Sequence, residues 1–298
     1  MNRPAQKAFI VFLVVPSFLI LAAVVFYPFV YNVVISLSNM NLRHIKDWSL
    51  VGLQQYYKVF FEPTQPNFYL VFLKTIIWTV VNVFFHVTLG VALALLLNQR
   101  DIKGRPLFRT LLILPWAIPQ YIVALTWRGM FNYEYGSINL IITKYLNLPA
   151  VEWLKSPAEA FLACILTNVW LGFPFMMVIA LGALQSIPHE FYEAANIDGA
   201  SWWHKLRHIT IPLLRPVMVP AITLGTVWTF NSLNIVWLVS NAGEPSDQTH
   251  ILVSFVYKAA FNLYRYGYAA ALSMVIFAIL LVFSLYFMKK TRATEAAY

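Results

Sequence analysis

Six stretches of 18 or more residues contain no Asp, Glu, Lys or Arg: 8–42, 75–99, 110–127, 160–188, 216–243 and 266–288. Each is dominated by Val, Leu, Ile, Phe and Ala. About 20 apolar residues of helix cross the hydrocarbon core of a bilayer. The pattern therefore predicts six transmembrane helices, at about 8–35, 72–98, 107–130, 160–186, 216–240 and 267–288. The first stretch follows Arg3 and Lys7, as the apolar part of a signal peptide would. It greatly exceeds the roughly 7–15 residues of such a part, and no small-residue cleavage site follows it, so it reads as a retained helix. The polar segments between the stretches are too short to fold as a separate soluble domain. No solenoid period is visible, nor the similarity between halves that marks an inverted-repeat carrier.

Composition points the same way. Of 298 residues, 60% are hydrophobic and 11% charged, against about 25% charged in an ordinary soluble domain. Aromatic residues reach 16%, and such rings favour the membrane–water interface. The expectation is an all-α polytopic membrane protein, with residues 1–298 forming one membrane domain. The net charge of +9 is explained by where it lies. Six spans put both termini on one side. That side collects Arg3, Lys7, Arg100, Lys103, Arg105, Arg109, Lys205, Arg207, Arg215, Lys289, Lys290 and Arg292, against the acids Asp101, Glu190, Glu193, Asp198 and Glu295. The other side is nearly balanced. The excess of Lys and Arg in cytoplasmic loops makes the first side cytoplasmic. Both termini and 189–215 are then inside, and 132–158 and 244–265 outside. The basic balance is a topology signal and calls for no nucleic-acid partner.

Candidate chemistry is sparse. The single cysteine, Cys164, has no internal disulfide partner, and no Cys/His metal spacing exists. His189-Glu190 begins like a zinc-protease helix, but Glu193 stands where the second His belongs. His204 and His208 are four apart, with no third ligand evident. There is no nucleophile elbow, P-loop or dinucleotide fingerprint, so a polytopic membrane enzyme lacks its constellation. An ion-coupled carrier usually holds a charge inside a span, and the six stretches have none. The energy source is then another subunit. Segment 189–215 stands out as polar and rich in small residues. Pro188 can open a short helix there, with Glu190 and Glu193 in its early turns. Gly199 can end it in a left-handed conformation, and 202–208 would form a second.

That segment carries a resemblance. Glu193-Ala194-Ala195, three residues, Gly199, nine residues, then Ile209-Thr210-Ile211-Pro212 resembles the EAA signature of ABC-importer permeases, EAA-x3-G-x9-I-x-LP, departing only at Ile211. Pro115-Trp116-Ala117-Ile118-Pro119 with Trp127 and Asn139, Asn168-Val169-Trp170-Leu171-Gly172-Phe173-Pro174, and Tyr266-Gly267-Tyr268-Ala269-Ala270-Ala271 are similar to the sugar-importer branch. The likeness covers essentially the whole chain and is strongest to the first-type permease of maltose and maltodextrin importers. Two departures stand out: Ser240-Asn241-Ala242-Gly243-Glu244-Pro245 replaces the usual T-x-GGP, and Lys74 takes the place of a common Asn.

The resemblance implies the type I ABC-importer permease fold in the inner or plasma membrane. It implies a second homologous permease, a dimer of cytoplasmic ATP-binding subunits, an extracytoplasmic sugar-binding protein and a sugar substrate in a lipid bilayer. This chain would bind no cofactor, ATP and Mg belonging to the partner ATPase. Glu193, Ala194, Ala195, Gly199, Ile209 and Pro212 would form the ATPase-coupling segment, with 190–203 as its helix. The solute would be a sugar or oligosaccharide, the alternative being a small polar solute such as a glycerol phosphate. For the sugar, helical periodicity puts Asn168, Gly172 and Phe175 on one face of span four beside Leu171, and Gly225, Trp228, Thr229 and Ser232 on one face of span five. An aromatic platform flanked by amides and hydroxyls suits a sugar ring. The resembling permeases line their midmembrane site with these positions, although aromatic and amide identities differ at several. Small and polar residues also serve as helix–helix contacts in membranes. Asn231 and Asn234 fall on a neighbouring face, as packing or gate residues.

Overall fold

The structure, a computed structural model, describes residues 3–62, 66–99 and 101–291, with side chains over 11–62, 66–99 and 101–289. Of the residues in the charge comparison, Arg100, Arg292 and Glu295 lie outside the described residues, as do the side chains of Arg3, Lys7 and Lys290. The described chain is helical almost throughout, in the order α1 (Arg3–Leu21), α2 (Tyr27–Ser36), α3 (Gln54–Phe61), α4 (Phe68–Asn98), α5 (Arg105–Ala117), α6 (Gln120–Met130), α7 (Ser137–Tyr145), α8 (Pro157–Ser186), α9 (Glu190–Ile197), α10 (Trp202–Lys205), α11 (Ile211–Phe230), α12 (Leu233–Val239), α13 (Leu252–Tyr257) and α14 (Tyr266–Thr291). Five helical runs are long and apolar enough to cross a membrane: Val11–Ser36, Phe68–Asn98, Pro157–Ser186, Trp202–Val239 and Tyr266–Lys289. The bent pair Arg105–Ala117 and Gln120–Met130 makes a sixth if taken as one span.

Two of the expected helices are built differently. The third is broken, α5 and α6 meeting at 94°. Pro119 excludes helical geometry from the residue before it, and Ile118 is extended at φ −82, ψ 136. The fifth starts earlier than charge-free counting allows. Its helix runs from Trp202 through a wide-turn stretch, Leu206–Thr210, into α11, so exposed Arg215 lies within it. A wide turn supplies the slack where Pro212 has no N–H for the carbonyl four residues back. The same helix stops at Phe230, short of the expected end, and resumes as α12.

The chain divides into two compact units, one within Met1–Pro63 and Val256–Ala278, the other within Thr64–Phe255 and Ile279–Tyr298. In the first, Val11–Ser36 buries none of its most apolar window; an apolar helix exposed on all sides suits lipid or a neighbouring subunit. Polar bonds tie the rest of this unit together. Gln55 donates to the Ser38 carbonyl at 2.9 Å, Tyr56 and Ser36 share a hydroxyl bond at 2.7 Å, and Arg265 pairs with Glu62 at 2.8 Å.

In the second unit α4 and α8 pack along much of their length, α11 crosses both, α5 lies on α8, and α12 on α6. Two apolar clusters form. Trp78, Ala163, Cys164, Ile165, Ile235 and Val236 belong to one, and Ala94, Leu97, Met177, Leu181, Leu214 and Met218 to the other. Along α8 the first cluster ends, and the second begins, around residues 168–176.

Candidate functional site

Between the two clusters α4, α8 and α11 enclose a cavity of about 600 Å³. All eight residues expected from the helical faces line it: Asn168, Leu171, Gly172, Phe175, Gly225, Trp228, Thr229 and Ser232. His86 of α4, Met176, Val227, Asn231 and the α5–α6 corner, Trp116 to Gln120, complete the wall. No Asp, Glu, Lys or Arg is among the lining residues.

Both helix breaks open onto this space. Within a bilayer, non-helical backbone is tolerated only where it is buried in protein or lines a cavity. At the second break Asn231 and Ser232 leave the helix, and fully buried Trp78 donates its indole N–H to the Thr229 carbonyl at 2.8 Å. Ser232 therefore reaches the cavity from the interruption and not as the next turn of the Gly225–Thr229 face. A chain of side-chain bonds joins the breaks. Asn234 donates to Gln120 Oε1 at 3.1 Å, Gln120 to Ser232 Oγ at 3.2 Å, and Ser232 to Asn168 Oδ1 at 3.4 Å.

Asn168 is held from the other side as well. Buried His86 places Nε2 2.9 Å from the Asn168 carbonyl oxygen, so that nitrogen donates. The imidazole sits where a side chain on Gly172 would be, since a Cβ there would collide with the ring. Asn168 Nδ2 is buried with no protein partner. Three rings form an aromatic side: Trp116 and Phe175 at 6.1 Å between centroids, Phe175 and Trp228 at 5.2 Å. Trp228 is half-exposed.

Periodicity did not identify His86, Trp116 or Gln120. A lone histidine in an apolar run gives no periodic signal, but Pro119 four residues after Pro115 marks the corner.

The 189–215 segment forms two connected pieces. Helix α9 ends in a left-handed glycine, Gly199 at φ +75. The Ala200 N–H bonds to the Ala195 carbonyl at 2.8 Å and the Gly199 N–H to that of Asn196 at 3.1 Å, the paired bonds of a Schellman closure. The break falls at the expected glycine: α9 ends at Ile197 and helix restarts at Trp202, so the 190–203 coupling stretch spans both pieces, the left-handed residue turning the chain out of the axis of α9. Glu193 and Ala194 are exposed, Ala195 and Ile209 half-buried, and Pro212 is exposed in the first turn of α11. His204 and His208 stack at 4.1 Å, and no group of three potential metal ligands occurs among the described residues.

The departures from the resembling family lie on the α4 side of the 240–252 segment. Lys74 donates to the Gln248 carbonyl, and the Leu252 N–H donates to Thr75 Oγ1 at 2.9 Å. Gly243 continues a left-handed run from Asn241 and Ala242 and packs against the ring of His250.

Comparison with known proteins agrees with this architecture. Residues 86–291 match the family described as binding-protein-dependent transport system inner membrane component. The galactooligosaccharides transport system permease protein GanP of Bacillus subtilis (strain 168) is 35% identical over 289 residues, covering 93% of this chain and 69% of its own. The trehalose/maltose transport system permease protein MalF of Thermococcus litoralis is 36% identical over 255 residues, covering 85% and 84%. The maltodextrin transport system permease protein MdxF of Bacillus subtilis (strain 168) is 32% identical over 306 residues, covering 97% and 70%. In three dimensions the chain superimposes on a subunit of a bacterial alginate ABC transporter, solved with an alginate pentasaccharide-bound periplasmic protein. The TM-score is 0.82 at 19% identity, over 97% of this chain and 95% of that one. The fold is that of the type I ABC-importer permeases, polytopic and all-α. The chain belongs to the family of binding-protein-dependent transport system inner membrane components, the membrane-spanning and non-catalytic part of such importers.

Proposed function

We propose that the chain, as a single permease domain over residues 1–298, moves a sugar or oligosaccharide of the maltodextrin type through the cavity between its broken helices. The observation that carries this reading is the cavity's chemistry. Amides and hydroxyls (Asn168, Gln120, Asn231, Ser232) face an aromatic side built from Trp116, Phe175 and Trp228, with no charged residue in the wall. A sugar presents hydroxyls at its edge and apolar ring faces, so each kind of wall has a counterpart on the ligand. A phosphorylated solute such as a glycerol phosphate would need cations that this wall lacks. The relatives named for galactooligosaccharides, trehalose/maltose and maltodextrin transport support the same class.

In this reading an extracytoplasmic binding protein delivers the sugar to a heterodimer of this chain and a second homologous permease. A dimer of cytoplasmic ATPases supplies the energy, holding ATP and Mg itself. Both termini and 189–215 face the cytoplasm. Glu193, Ala194, Ala195, Gly199, Ile209 and Pro212 form the ATPase seat, where exposed Glu193 offers an acceptor and the alanines permit close approach. ATP binding favours one of two access states, and differential affinity drives the exchange between them.

The test is uptake by proteoliposomes holding this chain with its co-expressed permease, ATPase and binding protein. ATP-dependent accumulation of labelled maltotriose, competed by other maltodextrins and indifferent to glycerol 3-phosphate, is expected. Accumulation of glycerol 3-phosphate with no oligosaccharide uptake would overturn the assignment.

A further inference from the structure

A second cavity, of about 610 Å³, lies in the same unit where α4 and α8 end and α5 begins, closed by the 189–210 segment. It matches the first cavity in size and differs in charge. Arg105 and Lys205, both half-buried, line it, and no Asp or Glu does. Lys205 Nζ rests on a neutral acceptor, Asn196 Oδ1, at 2.7 Å. Among the described residues no carboxylate pairs with either cation. Cations partly withdrawn from water without a counter-ion are costly to hold, and an anion in the same cavity relieves that cost.

The remaining polar lining is suited to the same kind of ligand. Asn98, Gln99 and Gln185 bring amide donors to the cavity from the ends of α4 and α8. We propose that this cavity binds a phosphate-bearing anion, with its charge between Arg105 and Lys205 and its oxygens on those amides. A guanidinium fork and an ammonium beside several amide donors are the groups that hold tetrahedral oxyanions. The volume admits the head and glycerol of an anionic phospholipid, and also a free phosphate ester. The surface beyond the cavity favours the lipid. From Arg105, α5 continues with Leu107, Phe108 and Leu111 exposed, an apolar track for acyl chains next to a site for the head. Basic pockets between transmembrane helices bind lipid heads by this combination.

The site shares the coupling segment with the proposed ATPase seat and uses other side chains of it. Tyr192 and Asn196 of α9 line the cavity, whereas Glu193 and Ala194 of the same helix are exposed and do not. The Tyr192 hydroxyl is bonded to Thr210 Oγ1 at 3.0 Å, so the occupied cavity would brace both pieces of the segment against the ends of α4 and α5.

Native mass spectrometry of the purified complex in neutral detergent tests this, titrating dioleoyl phosphatidylglycerol against dioleoyl phosphatidylcholine. Thermal melting in inorganic phosphate forms a second arm. The wild type should hold the anionic lipid about tenfold more tightly than the neutral one, and Arg105→Gln with Lys205→Gln should abolish that preference. Lys103→Gln with Arg109→Gln, exposed basic positions outside the cavity, should leave it intact. If phosphate raises the melting temperature of the wild type and not of the cavity variant, with no lipid preference, the ligand is a soluble phosphate ester. Gln185→Trp fills the cavity while keeping both cations, and it should lose the same binding, which decides the matter if the double variant does not assemble. Equal losses in the cavity and control variants, or no anion response in either arm, would overturn the proposal.

Discussion

The contact between His86 and Gly172 allows a prediction in which the sign of an effect reverses. Replacing glycine by alanine inside a helix normally stabilises it by about 1 kcal/mol. In α8 the added methyl at 172 would overlap the imidazole of His86, which is itself buried and bonded to the Asn168 carbonyl at 2.9 Å. Overpacking of this kind costs about 1–3 kcal/mol, and displacing the ring forfeits a hydrogen bond worth roughly 0.5–1.5 kcal/mol. After subtracting the propensity gain, Gly172→Ala should destabilise the wild type by about 0.5–3.5 kcal/mol. With His86→Ala already in place the space is empty, so the same substitution should be neutral or stabilise by up to about 1 kcal/mol. Thermal melting of the complex, followed by size-exclusion chromatography for all four members of the cycle, measures the coupling. Maltotriose uptake should fall in Gly172→Ala along with stability, because the displaced ring would no longer hold Asn168. Equal costs in both backgrounds would refute the interlock and reduce Gly172 to an ordinary small residue.

Three further outcomes are expected. Trp228→Ala removes ring stacking worth about 0.5–1.5 kcal/mol, so the KM for sugar uptake should rise several-fold while assembly with the ATPase is unchanged; an unaltered KM would move the aromatic platform elsewhere. Gly199→Ala puts a Cβ on a residue at φ +75 at a cost of about 1–2 kcal/mol, and should weaken ATPase association. Gly199→Asn, which tolerates the left-handed region, should restore it, and a null effect of both would detach the coupling role from the Schellman turn. In a Cys164→Ala background, a cysteine at position 201 should resist an impermeant thiol reagent added to intact cells and react in inverted vesicles; labelling from outside would reverse the topology.

Much of the site was legible because it lies on regular helix. Asn168, Gly172 and Phe175 fall at i, i+4 and i+7, and that spacing alone brings them to one wall. Gly199 was legible for another reason, since a glycine after a short helix with acidic early turns is where a left-handed closure belongs. Counting charge-free stretches worked less well at Arg215, whose exposed side chain lies inside a continuous helix. His86 was out of reach of any periodic argument. Its role depends on a glycine 86 positions later on another helix, and that meeting is a fact of packing alone.

The two breaks show what a periodic reading passes over. Proline is common enough in membrane helices that Pro119 looks tolerable within a continuous span, and Asn231-Ser232 looks like two small polar residues on a helix face. Each interruption exposes main-chain polar groups, however, and in hydrocarbon an unpaired group costs several kcal/mol, roughly. A single break can be repaired locally, as Trp78 does for the Thr229 carbonyl. Two breaks joined by Asn234, Gln120, Ser232 and Asn168 gather polar groups along one cavity. Such a wall suits water or a ligand with many hydroxyls better than it suits an apolar filling. With no Asp, Glu, Lys or Arg in the cavity wall, the interruptions mark the solute path better than any single side chain does.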